Sequence, residues 1–202
     1  MLDVAGETPG KIFHGFDQEW YPTLWQRRSG CGPTVAAETA FYYTRSRAAD
    51  PPAGPASHGE ALEQMLQAWR HVTPTARGIP SAALLRDDFA QYAGAAGLPL
   101  EPECLDIPAR RDERPALSQL VQFVAQPLGE DMPVAFLNLH NGSEAQLDSW
   151  HWVLIVGLSY EPEGPAAVAS ILDEGERKTV DLGLWLDSTK LGGGLVRFRL
   201  RK

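Results

Sequence analysis

Cysteine is scarce in this chain, with only Cys31 and Cys104 among 202 residues. Two cysteines are too few for a disulfide scaffold. No paired ligand spacing of the Cys-x2-Cys or His-x3-His kind is present, so no metal site is expected. No stretch approaches the roughly 18 to 20 apolar residues of a membrane-spanning helix. Basic charge is also short: 18 Lys and Arg against 26 Asp and Glu give a formal net charge of -8. That balance argues against general nucleic-acid binding, which needs a basic footprint. A glycine-rich phosphate loop is absent, because Gly192-Gly193-Gly194 precedes an expected strand rather than a helix and reads as a hairpin turn. The N-terminus, MLDVAGETPGKIF, lacks the basic head and apolar run of a secretion signal. Together with the two cysteines, this gives the expectation of a reducing, cytoplasmic setting, with no cofactor.

What remains is an ordinary globular composition, 44% hydrophobic and 22% charged, long enough to bury a core within one domain over residues 1–202. Residues 1–23 carry aromatics without helical periodicity and read as an extended arm or short strand. Apolar positions at three- and four-residue steps predict helices at Gly32–Arg45, Gly59–His71, Ser81–Ala95 and Arg114–Ala125. The first has small residues, Ala36, Ala37 and Ala40, as a central helix needs. Ser81 suits an N-cap. The run AADPPAGPASH is a proline loop. Leu98–Ile107 reads as irregular or a short strand.

Beyond residue 133 the pattern changes. Strands are predicted at Pro133–Leu139, His151–Tyr160, Ala167–Asp173, Arg177–Val180 and Gly194–Arg201. A helical half (about 24–126) before a sheet half (about 133–202) makes the fold class α+β, a central helix packed on an antiparallel sheet.

The segment Trp25-Gln26-Arg27-Arg28-Ser29-Gly30-Cys31-Gly32-Pro33-Thr34 places Cys31 on the first turn of that central helix. Unpaired N–H groups and the positive end of the helix dipole favour a thiolate there. Pro33 suits a helix start, where its missing N–H has no intrahelical partner to lose. His151 opens one strand and Asp173 closes the next. If the two strands form an antiparallel hairpin across 161–165, these ends lie side by side, about 5 Å apart across the ladder. A carboxylate then orients an imidazole, and the imidazole takes the proton of the thiol. Gln26, five residues before Cys31, is the candidate amide for a developing oxyanion, with Gln18 as its substitute. His140 is the second-choice base, and Asp148 and Asp187 are rivals to Asp173. Cys104 reads as a small buried hydrophobe. Trp20, Trp25, Trp150 and Trp152 adjoin these residues in sequence and suggest an aromatic-walled cleft.

Gln, a short gap, Cys-Gly-Pro-Thr opening a helix, a distant His-Trp-Val-Leu-Ile-Val-Gly strand and an Asp ending the next strand resemble the papain-like cysteine peptidases. The likeness is nearest to the bacteriocin-leader-processing peptidase domains and their free-standing bacterial relatives. It covers about residues 20–45 and 133–175. The resemblance implies Cys31 as nucleophile, His151 as general base, Asp173 as orienter and Gln26 as oxyanion donor. It also implies a papain-like fold and cleavage of a peptide or other amide through an acyl-enzyme thioester. The double-glycine leader substrate does not carry over, since those domains come fused to an export transporter. Acyl transfer to an amine on the same machinery, or a binding protein that keeps the fold without turnover, are the alternative functions. Nothing in the sequence specifies an oligomeric state.

Overall fold

The computed structural model describes residues 2–161, 164 and 166–201. In chain order the elements are β1 (Asp3–Ala5), β2 (Ile12–His14), α1 (Leu24–Ser29), α2 (Cys31–Ser46), β3 (Ala56–Ser57), α3 (His58–Trp69), α4 (Ala82–Ala95), β4 (Leu100–Ile107), α5 (Leu117–Gly129), β5 (Val134–Asn138), β6 (His151–Tyr160), β7 (Ala167–Asp173), β8 (Glu176–Asp181), α6 (Leu182–Ser188) and β9 (Gly193–Leu200). The class is α+β. A six-stranded sheet runs in the order β4-β9-β5-β6-β7-β8, every pairing antiparallel. A small second sheet, β2-β1-β3, holds the N-terminal arm. No helix among the described residues is long and apolar enough to cross a membrane.

Local chemistry starts the helices. Ser57 and Glu60 form a reciprocal capping box on α3, and the Ser81 hydroxyl accepts the Leu84 N–H to open α4. Apolar faces then decide the layers. Ala36, Ala37 and Ala40 of α2 join Ala61, Met65, Leu85 and Phe89 from the next two helices against Trp152, Leu154 and Leu172. On the opposite face Leu120 and Val124 of α5 and Trp185 of α6 pack on Phe136, Val153, Ile155 and Ile171. Both faces of the sheet are therefore covered.

This layering differs from the expected division into halves. Residues 100–107 form a full strand that fills the sheet edge beside β9, although Pro102 and three acidic residues mask its alternation in sequence. Helix α5 covers the far face instead of joining the others, and α6 is an element with no sequence expectation. Gly192–Gly194 is not a hairpin turn. Gly192 has φ +69° and sits so close to Ile107 that a Cβ there would lie 1.9 Å from its carbonyl oxygen. The glycines let the entering chain press against β4 and β5. The expected turn at 161–165 falls partly outside the described residues.

One irregularity lies close to the site. The β6–β7 ladder pairs Gly157 with Ser170 but Ile155 with Ile171, so Val156 is an extra residue, a β-bulge. Beyond it Leu154 faces Leu172. His151 begins β6 and Asp173 ends β7, so both lie at one end of the ribbon, just past this last pair, where their side chains meet. Removing the extra residue would slide the pairing on the His151 side of the bulge by one position.

Candidate active site

Cys31 is the first residue of α2, separated from the end of α1 only by Gly30. Gly30 is a steric necessity: a Cβ would stand 2.4 Å from the Gln26 carbonyl oxygen and 2.7 Å from the Tyr21 ring. Gly32 is pressed just as closely on Ile79, 2.7 Å from its Cδ1 to a built Cβ. No side chain caps α2, so the N–H groups of its first turn have no side-chain partner at the cap. The sulfur thus stands at an open, electropositive helix start.

The His151 Nε2 lies 2.6 Å from Asp173 Oδ1, and Lys178 Nζ donates to Asp173 Oδ2 at 2.8 Å. With Nε2 engaged by a carboxylate, only Nδ1 remains to serve the cleft. Cys31, His151 and Asp173 line one narrow cleft together with Phe16, Gln18 and Glu38. Burial would lower the basicity of the imidazole. Hydrogen bonding and charge from Asp173, and the nearby Cys31 side chain, outweigh it and carry the ring up to about 10. The Cys31 side chain lies within reach of the ring and favours its charged form through both hydrogen bonding and charge. Catalytic contacts of this kind are often long before a substrate is bound. The Asp173 side chain is 1% exposed. Burial would raise its carboxyl, but His151 and Lys178 hold it below the usual carboxylate range. The backbone is left-handed on both flanks, at Trp150 (φ +61°) and Glu174 (φ +52°). A tryptophan held in that region is strained by about 1–3 kcal/mol, a feature that gathers at functional sites.

Three of the four site residues expected from sequence are thus brought together. Gln26 is not. Its Oε1 accepts the Thr23 hydroxyl at 2.9 Å in the capping box of α1, which commits its side chain to its own helix. Gln18, from a short 3-10 turn capped by Asp17, lines the Cys31 cleft instead, and its Oε1 is buried without a partner. The amide lines the cleft although it lies thirteen positions before Cys31. Two of the rivals are engaged elsewhere: Asp187 pairs with Arg111, and His140 Nδ1 accepts the Gly142 N–H at 2.9 Å. The Asp148 carboxylate is near enough to favour the charged form of Lys178, but the carboxylate on the His151 ring is that of Asp173. Cys104 lies half-buried in β4, 3.4 Å from an Arg86 nitrogen. Of the tryptophans, Trp152 is core, donating to the Ile79 carbonyl oxygen, and Trp20 packs among Phe13, Phe16 and His58. Trp25 and Trp150 remain exposed beside Cys31.

Two functional neighbours escape sequence reasoning. Lys178 sits in the polar run Glu176–Thr179, which reads as a solvated strand face. Glu38 lies seven residues after Cys31, hence on the same helix face two turns along. It is fully buried, accepts the Phe16 N–H at 2.6 Å, and is pushed up to about 8 by burial, with the Asp173 charge adding to the effect. Comparison with protein-family models and with curated protein sequences gave no match for this chain.

Proposed function

We propose that the protein is a cysteine hydrolase of papain-like architecture, cleaving a peptide or other amide bond. The observation that carries the reading is the 2.6 Å contact of the buried Asp173 with a His151 ring that shares its cleft with Cys31. In this reading His151 draws the thiol proton onto Nδ1, and the Cys31 sulfur attacks the amide carbonyl carbon. The tetrahedral oxyanion lies against the Cys31 N–H and the Gln18 amide, taking the part expected of Gln26. Each such donor is worth about 3–4 kcal/mol where one has been removed from comparable sites. The C–N bond then breaks, the imidazolium returns its proton to the leaving amine, and a thioester remains. Water, deprotonated by His151, attacks the thioester and releases the acid and the thiol. Asp173 keeps Nε2 protonated and turned away from the sulfur throughout, and Lys178 fixes the other carboxylate oxygen. Two free thiols suit a reducing, cytoplasmic setting.

The test is chemical. Iodoacetamide should alkylate Cys31 well before Cys104, and p-nitrophenyl acetate should give a burst of one equivalent that Cys31→Ala abolishes. Equal, slow alkylation of both cysteines in the folded protein, with no burst, would overturn the reading.

A further inference from the structure

Beside Cys31 the surface opens into a groove of about 580 Å3. Two tryptophans from distant segments face it: Trp25 of α1, 49% exposed, and Trp150 before β6, 53% exposed. Large exposed aromatics converging from two segments are costly to leave in water and are enriched at binding sites. Arg28 and Arg77 complete the walls, and no carboxylate lines the groove. In a chain of net charge -8 this is a local reversal of sign. The contrast with the neighbouring residue is informative. Arg27 is tied down, its Nη1 on the Tyr21 carbonyl oxygen at 2.9 Å and its Nε 3.7 Å from Glu19. Neither Arg28 nor Arg77 has a side-chain hydrogen bond or ion pair among the described residues. The narrower cleft that also holds Cys31 differs in its lining, with Glu38, Asp173 and Glu174 beside His151.

We propose that this groove binds an acidic peptide segment. A planar or large apolar side chain lies between Trp25 and Trp150, and adjacent carboxylates pair with Arg28 and Arg77. The chain of the peptide then runs across Cys31. Cleavage of that peptide rests on the cysteine-hydrolase reading; its binding does not.

Binding is measured on Cys31→Ala protein, through tryptophan fluorescence, with two blocked hexapeptides that share one Phe and differ in carrying two Glu or two Lys. The acidic peptide should bind about tenfold more tightly at low ionic strength, two exposed ion pairs being worth about that much. The ratio should fall towards one as salt shortens the screening length. Arg28→Glu with Arg77→Glu should invert the preference, and Trp25→Ala should weaken both peptides. Equal binding, a preference for Lys, or a ratio untouched by charge reversal would overturn the proposal. So would tighter binding of a short oligothymidylate, which would make the groove a single-strand nucleic-acid site. The p-nitrophenyl acetate burst of the unaltered protein reports separately on the catalytic reading. Its absence with acidic preference intact would remove the hydrolase and leave the ligand class standing.

Discussion

Replacing Asp173 by Asn keeps the side-chain shape and removes its charge, so it isolates the electrostatic part of the site. In the folded protein the His151 ring is carried from its ordinary 6.5 to about 10, Asp173 and Cys31 together overcoming the effect of burial. At about 1.4 kcal/mol per tenfold, that is a preference for imidazolium of about 5 kcal/mol. Two partners share it, so Asp173→Asn should remove on the order of half and bring the midpoint down by about two pH units. The ring carbons of the five histidines, followed by NMR and assigned with His151→Gln, report this directly. Stability supplies a second reading. A group whose folded value lies above its unfolded one stabilises the fold fully below about 6.5 and loses that contribution as the pH climbs through about 10. Urea unfolding of the unaltered protein should therefore weaken by about 3–5 kcal/mol over that window, and that of Asp173→Asn by roughly half as much. The ester burst rate of the variant should fall about 10²- to 10⁴-fold. A His151 midpoint that stays put in Asp173→Asn, or lies near 6.5 in the unaltered protein, would refute the reasoning.

Three further outcomes follow from the same geometry. Gln18→Ala should slow acylation about 10²- to 10³-fold with the His151 midpoint unmoved, whereas Gln26→Ala should leave acylation intact and cost about 0.5–1 kcal/mol of stability through the lost cap. Glu38→Gln keeps an acceptor for the Phe16 N–H. Glu38, raised from 4.5 to about 8, gives up stability as the pH rises through that range, so the variant should gain on the unaltered protein above about pH 8 in urea titrations. Gly30→Ala forces a methyl onto the Gln26 carbonyl oxygen and the Tyr21 ring, and thermal unfolding should show a loss of about 1–3 kcal/mol.

The parts of the site legible in the sequence are those marked by a boundary. Cys31 lies where polar residues give way to a helix, His151 where a loop gives way to an apolar run, and Asp173 where such a run ends. Gln26 is close to Cys31 in sequence, but its side chain turns to the cap of its own helix. The Thr23-x-x-Gln26 spacing is a capping-box signature and carried the contrary information. Gln18 comes to the Cys31 cleft through a turn and two helix starts, a path no spacing rule encodes. Lys178 and Glu38 were invisible for opposite reasons. One sits in a polar strand that looks wet, and the other in a helix whose burial on nearly all sides only tertiary packing reveals. The α6 helix is too short, at seven residues, for its periodicity to stand out.

Val156 takes no part in any chemistry, yet it acts as a spacer whose presence counts for more than its identity. Replacing its side chain should be absorbed, but excising the residue would leave every reactive group in the chain while sliding the strand of the imidazole by one position against that of its carboxylate. The length of the segment between Trp150 and Gly157 is therefore part of what specifies the site, and any redesign of this strand has to respect it.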